Sequence, residues 1–519
     1  MHSKYFVPPD VCGCSMPPSP KLKSEIPAAM RGLSTAMTLL RRELARSSGA
    51  SWRPESLSSH RAVILTLVLI TLASVPSPAQ SAREFRNMSL VGHSDLNGNG
   101  DGGEGLAIQQ MPDGRRILYL AHESQKTCVS IIDVTRPENP TLIAQLPSPT
   151  PGVTRCNSLG LSGNILLVAN QTLMRGQKSA GMWVLDVSDA ARLRRAKKLE
   201  DLALSFFDTS GPNSRGVHCL WFVDGEFAHL ATGSADFDPV NTNDDQFYMI
   251  VDVRNPKTPR EVGRWWYPGT RKGDECLPGC LPPRHPLFDS GYRPHQTEMW
   301  PDHPDRAYVS YIEGGAFIFD ISGLADVKSG RAARFTPKVL GHMNTSPPFT
   351  GFTHTFQPFF NRGLALISDE STQDSCKDAP KLVWLVDIRV ESNPMVIGTA
   401  PLHANDGLKC RQPGRFGAHN LQPNSPGPTS STLRHTAVAS WFGGGVRIFH
   451  LVNGPTGVTN APAHLEEIAY YIPAGPAKNP GRVPQINHAI VDEKGLIYAN
   501  DRFTGGLYIL KYTGPVPLD

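Results

Sequence analysis

Short apolar runs recur along this chain, each cut off by a polar turn. The segments "VSIIDVTRPENPTLIAQL", "MWVLDVSDAARLRRAKKL", "YMIVDVRNPKTPREVGRW", "AFIFDISGLADVKSGRAARF", "VWLVDIRVESNPMVIGTA", "VRIFHLVNGPTG" and "LYILKYTGPVP" align on their most apolar stretch. Runs this short, bounded by turn residues, predict strands rather than helices. In five copies the run ends in an aspartate: Asp133, Asp186, Asp252, Asp320 and Asp387. His450 and Lys511 stand there in the last two. Successive copies lie roughly 50–70 residues apart, the length of a four-stranded blade with long loops.

Upstream of each run lies a second β-rich stretch, such as "RILYLAHES" or "LALISDEST". In five units a histidine segment precedes that stretch: "SRGVHCLWF" with His218, "YRPHQTEMW" with His295, "GFTHTFQPF" with His354, "GRFGAHNLQP" with His419 and "PQINHAIVD" with His488. Each unit therefore reads inner strand, second strand, apolar third strand, outer strand. The pattern predicts an all-β chain, a single seven-bladed β-propeller over residues 83–519. Closing the ring protects sheet edges that isolated blades would expose. The last repeat lacks an outer strand, and "FRNMSLVGH" near the start carries a "SLVGH" similar to "REVGRW" and "PKVLGHM". The N-terminal strand is expected to close the seventh blade.

The chain at this point resembles the LVIVD-repeat β-propellers of exported bacterial proteins. The resemblance rests on "SIIDVTRPENP", "MIVDVRNPKTP", "WLVDIRVESNP" and the opening "GHSDLNGNGDGGEG", and covers about residues 84–515. It implies the architecture and export. The family is largely without assigned activity, so the resemblance implies no chemistry.

Composition changes the picture at the ends more than in the middle. The 519 residues include 47 Gly and 46 Pro, which suits many turns and disfavours long helices. A formal net charge of +4, with no basic stripe, argues against nucleic acid as a partner. Residues 1–82 read as a leader: a Pro-, Ser- and Arg-rich stretch, then an apolar core over 62–73 and small residues at Ser77–Ala79. That core is too short to span a bilayer and is expected to be a signal peptide. No other segment is apolar enough to span one. Export to the periplasm or beyond would place the chain in an oxidising compartment.

Seven cysteines follow the leader. Cys276 and Cys280 flank a Pro-Gly turn, and Cys376 and Cys410 lie in loops of neighbouring units. Both pairs are expected disulfides, and the odd count leaves one cysteine over.

Residues at one register of the inner strands converge on a propeller's axis. His218, His295, His354, His419 and His488 would meet there, with Glu104, Cys156 and Asn157 in blades one and two. A ring of neutral imidazoles suits iron or copper, with Glu104, Glu123, Glu298 and Glu370 as carboxylates that orient the rings. The layout is loosely similar to carotenoid-cleaving oxygenases, whose propeller histidines hold an iron, and to the selenium-binding/methanethiol oxidase group. The expected function is then a metal-dependent oxidoreductase acting on a small organic substrate. Two other readings stay open: histidines with a structural role in a scaffold propeller that binds a ligand or a surface protein, and metal-free acid–base catalysis. A structural role would pair them with the strand-end aspartates. "DLNGNGDGGEG" places Asp95, Asn97, Asn99 and Asp101 at alternate positions, a pattern that could cradle calcium or simply form a turn. There is no glycine-rich phosphate loop, no G-x-S-x-G elbow and no H-E-x-x-H helix.

Overall fold

The computed structural model describes residues 82–275, 280–401, 409–453, 462–475 and 483–519. The expected signal peptide and Cys276 lie outside the described residues. Seven antiparallel sheets follow one another along the chain, five built from consecutive strands and two that each also take a strand from the N-terminal end of the described chain. The chain is a seven-bladed β-propeller.

The apolar third strands form the heart of each blade. Val129, Ile131 and Ile132 are fully buried in blade one, as are Ile318 and Phe319 in blade four and Ile509 and Leu510 in blade seven. Burying each such side chain stabilises the fold by about 1.5–3 kcal/mol. The aspartates ending five of these strands cap the following turn. Asp133, Asp186, Asp252, Asp320 and Asp387 each accept a hydrogen bond from the backbone N–H two residues on, at 2.8–3.1 Å. This Asx turn ends the strand. The aspartates are thus turn residues, and no histidine of the five takes one as partner.

Met88–Ser94 pairs antiparallel with Leu507–Tyr512, so the N-terminal strand closes blade seven. The structure adds a strand the sequence pattern did not suggest. Ala82–Arg86 pairs with the end of His464–Pro473 and becomes the edge of blade six. Two glycines explain how outer strands nest on the next blade. A Cβ on Gly92 would fall 1.9 Å from the Pro137 carbonyl oxygen, and one on Gly341 would fall 1.7 Å from that of Glu391. Only glycine admits the neighbouring turn so closely.

Blade six departs from the pattern at its inner edge. The run around His419 is bridged to its neighbour only at Phe416–Phe442 and Leu421–Ala439. His419 N–H still donates to Ser440 O at 3.0 Å, which holds the segment at the axis.

Candidate metal centre

A repeated backbone device brings side chains to the axis. Pairing between the first and second strands slips by one residue at the start of the inner strand in blades three, five and seven. The extra residue is His218 in blade three and His354 in blade five. In blade four the slip lies between Pro294 and Thr297 and contains His295. In blade one it lies between Gly102 and Leu106 and contains Glu104. Such bulges re-aim a side chain out of the ladder. In blade seven the extra residue is Asn487, so His488 is one position out of register and joins the wall of a cavity instead.

The result is a buried layer of rings. His218, His295, His354, His419 and His488 are 8, 2, 0, 1 and 4% exposed. Ring centroids of consecutive members from His218 to His419 are 4.6, 3.9 and 4.3 Å apart. Burial lowers the pKa of His218, His295 and His419 well below the usual histidine value and that of His488 to about 4. These four imidazoles are neutral at pH 7. Burial opposes the charge on Glu104, and its carboxyl is drawn well below the ordinary range only by positive charge among His295, His354 and His419, which the neutral rings do not themselves supply.

The neighbours decide where the ring protons sit. Arg155 Nε can only donate, and it donates to Gln171 Oε1 at 2.9 Å. The same oxygen lies 3.0 Å from His218 Nδ1, so His218 carries its proton there and offers Nε2 as acceptor. His295 Nε2, 2.9 Å away, must then donate. Its Nδ1 is left as a bare lone pair 3.8 Å from Glu104 Oε2. Across the axis, His419 Nδ1 donates to the Asn487 carbonyl at 2.5 Å. Its Nε2 is left bare, 3.8 Å from Glu104 Oε1 and 3.8 Å from Glu370 Oε1. His354 Nε2 lies between them, 3.5 Å from Glu104 Oε2 and 3.9 Å from Glu370 Oε2. His295 Nδ1, His354 Nε2 and Glu104 Oε2 are all buried without a hydrogen-bond partner.

Two overlapping groups of three ligating atoms, Glu104–His295–His354 and His354–Glu370–His419, each fall within 4.8 Å. Ligands on a tetrahedral ion with bonds of about 2.1 Å stand about 3.4 Å apart. The carboxylate–imidazole gaps of 3.5–3.9 Å need little closure to meet that. Glu104 and Glu370 therefore sit among the histidines rather than behind them. Arg415 pairs with Glu370 at 2.7 Å and Asn157 donates to Glu104 Oε1 at 2.9 Å.

Beneath the layer, a cavity of about 340 Å³ follows the inner strands, touched by Glu104, His488, Gln296, Glu298 and Cys219. The blade-six loop Pro423–Ser430 forms part of its wall. Glu298 is buried there, its Oε2 lacks a partner, and burial raises its pKa well above the usual value, so it is a neutral acid. Glu123 lies elsewhere, between Arg155 and Arg502.

The remaining sequence candidates are placed apart from the axis. Asp95 caps a short turn by accepting Asn97 N–H, and Asp101 Oδ1 lies 2.9 Å from His122 Nδ1. Asn97 and Asn99 are exposed. The carboxylates of this loop serve its own turn and His122, and the backbone oxygens of Leu96 and Asn99 accept from Gln145. Cys376 and Cys410 form a disulfide, and Cys280 is disulfide-bonded as well. Cys128 and Cys156 form another that the sequence reading did not foresee, and Cys219 is the free thiol among the described residues.

No protein-family profile and no curated protein matches the chain. Among solved structures it is similar to the β-propeller domain of Cps50 (Swd1) from Myceliophteria thermophila. Identity is 14% and the TM-score 0.43, with 78% of this chain and 96% of that one covered. A chain of the mitotic checkpoint complex matches at 9% identity and TM-score 0.43, with 85% of this chain and 98% of that one covered. The WD40 β-propeller domain of Doa1 matches at 11% and 0.42, with coverages of 84% and 98%. Likeness at this level bears on the fold alone, and the propeller rests on the seven sheets themselves.

Proposed function

We propose that the axial layer holds one transition-metal ion through His295 Nδ1, His354 Nε2 and His419 Nε2, with Glu104 as carboxylate ligand and Glu370 beside it. The observation that carries this reading is the facing of His295 Nδ1 and Glu104 Oε2, a lone pair and an anion buried together without a proton or partner between them. Leaving such groups buried and unpaired is costly, and a cation between them removes the cost. Imidazole donors with carboxylate suit iron or copper.

On this reading the chain is a metal-dependent oxidoreductase, and the cavity beneath receives a small organic substrate. The bound ion would supply Lewis-acid or one-electron chemistry there. The protein's own share is to orient and exclude. The Arg155–Gln171–His218 relay holds His295 in one tautomer, inner strands wall the cavity, and Glu298 offers a proton to a substrate atom within its reach. Export belongs to the same proposal. The disulfides Cys128–Cys156 and Cys376–Cys410 favour an oxidising compartment, and the repeats quoted above favour a place among the LVIVD-repeat propellers.

A second reading has one observation in its favour. The histidines also stitch neighbouring blades, His218 to Gln171 of blade two and His419 to Asn487 of blade seven. A metal-free scaffold propeller that binds a ligand or protein would need no more than that. Elemental analysis of the purified full chain, before and after reconstitution with Fe(II) or Cu(II), separates the two. The metal reading expects about one ion per chain, lost in His354→Ala and His419→Ala variants that keep the wild-type circular dichroism. A wild-type chain that retains no transition metal after reconstitution would sink it.

A further inference from the structure

Along the inner strands of blades two, three, four and six, an arginine lies two to four residues ahead of the axial layer. These are Arg155 before Asn157, Arg215 before His218, Arg293 before His295 and Arg415 before His419. The cavity is lined by the residues that follow the layer, so these arginines occupy its opposite side. Arg502, at the end of the second strand of blade seven, completes the collar. Contacts link its members. Glu123 Oε1 accepts from Arg155 at 2.9 Å and Arg502 at 2.8 Å, and both Arg415 and Arg502 stack on Phe442, at 5.4 and 5.5 Å.

Positive charge and hydrogen-bond donors exceed their partners here. Asp245 is shared by Arg215 and Arg175, Glu123 by Arg155 and Arg502, and Glu370 takes Arg415. Arg293 forms no ion pair with a carboxylate among the described residues. Its Nη1 donates to Gln246 Oε1 at 3.0 Å and its Nε to Ser290 O at 3.1 Å, while Nη2 has no partner among the described residues. Gln171, 1% exposed, has its oxygen committed to Arg155 and His218, and its buried Nε2 donates to nothing. A group that only accepts and carries negative charge is the complement of such a collar, and guanidinium forks match carboxylate and phosphate oxygens.

We propose that the arginine collar is an oxyanion-binding site centred on Arg293, which takes the carboxylate or phosphate head of a small anionic ligand. Calling that ligand the substrate of the metal centre rests on the reading above, whereas the anion site rests on the collar alone. Arg415 and Glu370 put the collar one side chain from the imidazoles, so an anion held there lies directly over the layer.

The test titrates the full chain with acetate, phosphate and sulfate at constant ionic strength, chloride serving as the background anion. Calorimetry and thermal melting read the binding, on both chelator-treated and metal-loaded protein, with metal content measured in parallel. The wild type is expected to bind at least one of the three saturably in both forms. Arg293→Met should weaken that binding about tenfold or more, and Arg293→Lys should weaken it less, since charge survives and the fork is lost. Saturable binding by protein that takes up no transition metal on reconstitution would uphold the collar and sink the metal reading. Metal-loaded protein that binds none of the three more tightly than chloride would overturn the collar alone. Equal affinities in wild type and a folded Arg293→Met would overturn it too.

Discussion

His295 Nδ1 and Glu104 Oε2 face each other across 3.8 Å, buried, with no hydrogen-bond partner for either. The relation predicts opposite effects of one substitution in two states. Glu104→Gln replaces a charged ligand by an amide that can donate to an imidazole lone pair. Metal affinity is expected to fall by at least about tenfold, on the scale of 1.4 kcal/mol. The metal-free variant is expected to be as stable as metal-free wild type or more so, because a buried unpaired charge has gone. Melting with and without chelator checks both signs. A metal-free variant that melts well below metal-free wild type would show that the carboxylate has its partner within the protein.

A second prediction concerns Gln171, which touches no proposed ligand. Its oxygen, pinned by Arg155, sets the proton on His218 and through it the tautomer of His295. Gln171→Leu leaves His218 free to turn its proton toward His295, which places a proton on the nitrogen meant for the metal. Metal affinity is expected to drop about 10–100-fold, the usual range for losing an orienting partner. Gln171→Glu keeps an acceptor for both neighbours and is expected to restore most of it. Nitrogen-15 spectra of the histidine rings would report the tautomer directly, and an unchanged His295 in Gln171→Leu would break the relay argument.

Much of the architecture was legible because it repeats. The third strands announce themselves by apolar runs, five of them ending in aspartate, and "SLVGH" carries the glycine that admits the Pro137 carbonyl, as "PKVLGHM" does for that of Glu391. Register near the axis was not legible. A one-residue bulge decides whether a side chain meets the axis, and nothing in "PQINHAIVD" says that Asn487 rather than His488 takes the bulged position. Glu104 was expected behind the histidines because a glycine-rich segment gives no register to count from. The collar left a trace that could have been read: "SRGVH", "YRPH" and "GRFGAH" each set an arginine just before the histidine. Cys128–Cys156 was missed because Cys128 sits inside an apolar third strand, where it reads as core, and Cys156 reads as an axial position.

The pH dependence of stability follows from the neutral rings. His488 has a folded pKa near 4, against about 6.5 when unfolded. Between those values the unfolded chain binds a proton that the folded chain refuses. Stability of the metal-free protein is therefore present above about pH 6.5 and lost as the pH falls toward 4. His218, His295 and His419 act in the same direction. Replacing His488 by Gln removes one titrating ring, so the slope of unfolding free energy against pH should become shallower by up to about 1.4 kcal/mol per pH unit. Urea unfolding of chelated protein from pH 4 to 7 measures it. An unchanged slope would mean that His488 is protonated in the folded state.

The last prediction concerns closure, and the two N-terminal strands sharpen it. Ala82–Arg86 lies on the edge of blade six, where Arg86 pairs with Glu467 at 3.2 Å. Met88–Ser94 is the outer strand of blade seven, with Leu90 opposite Leu510 and Ser94 opposite Leu507. The reference is a form that begins at residue 82. Starting instead at residue 88 strips an added strand from a blade that keeps three others, and a loss of several degrees in Tm is expected. Starting at residue 95 removes the strand that joins the chain's beginning to its end. Unpaired backbone groups of Leu507–Tyr512 then face solvent, Met88 leaves a core where it is 2% exposed, and the ring has no clasp. That form is expected to aggregate or to melt at least about 10 °C below the reference. Thermal melting and light scattering on the three forms decide the matter, and equal melting of the second and third would mean that the ring is held shut by something other than this strand.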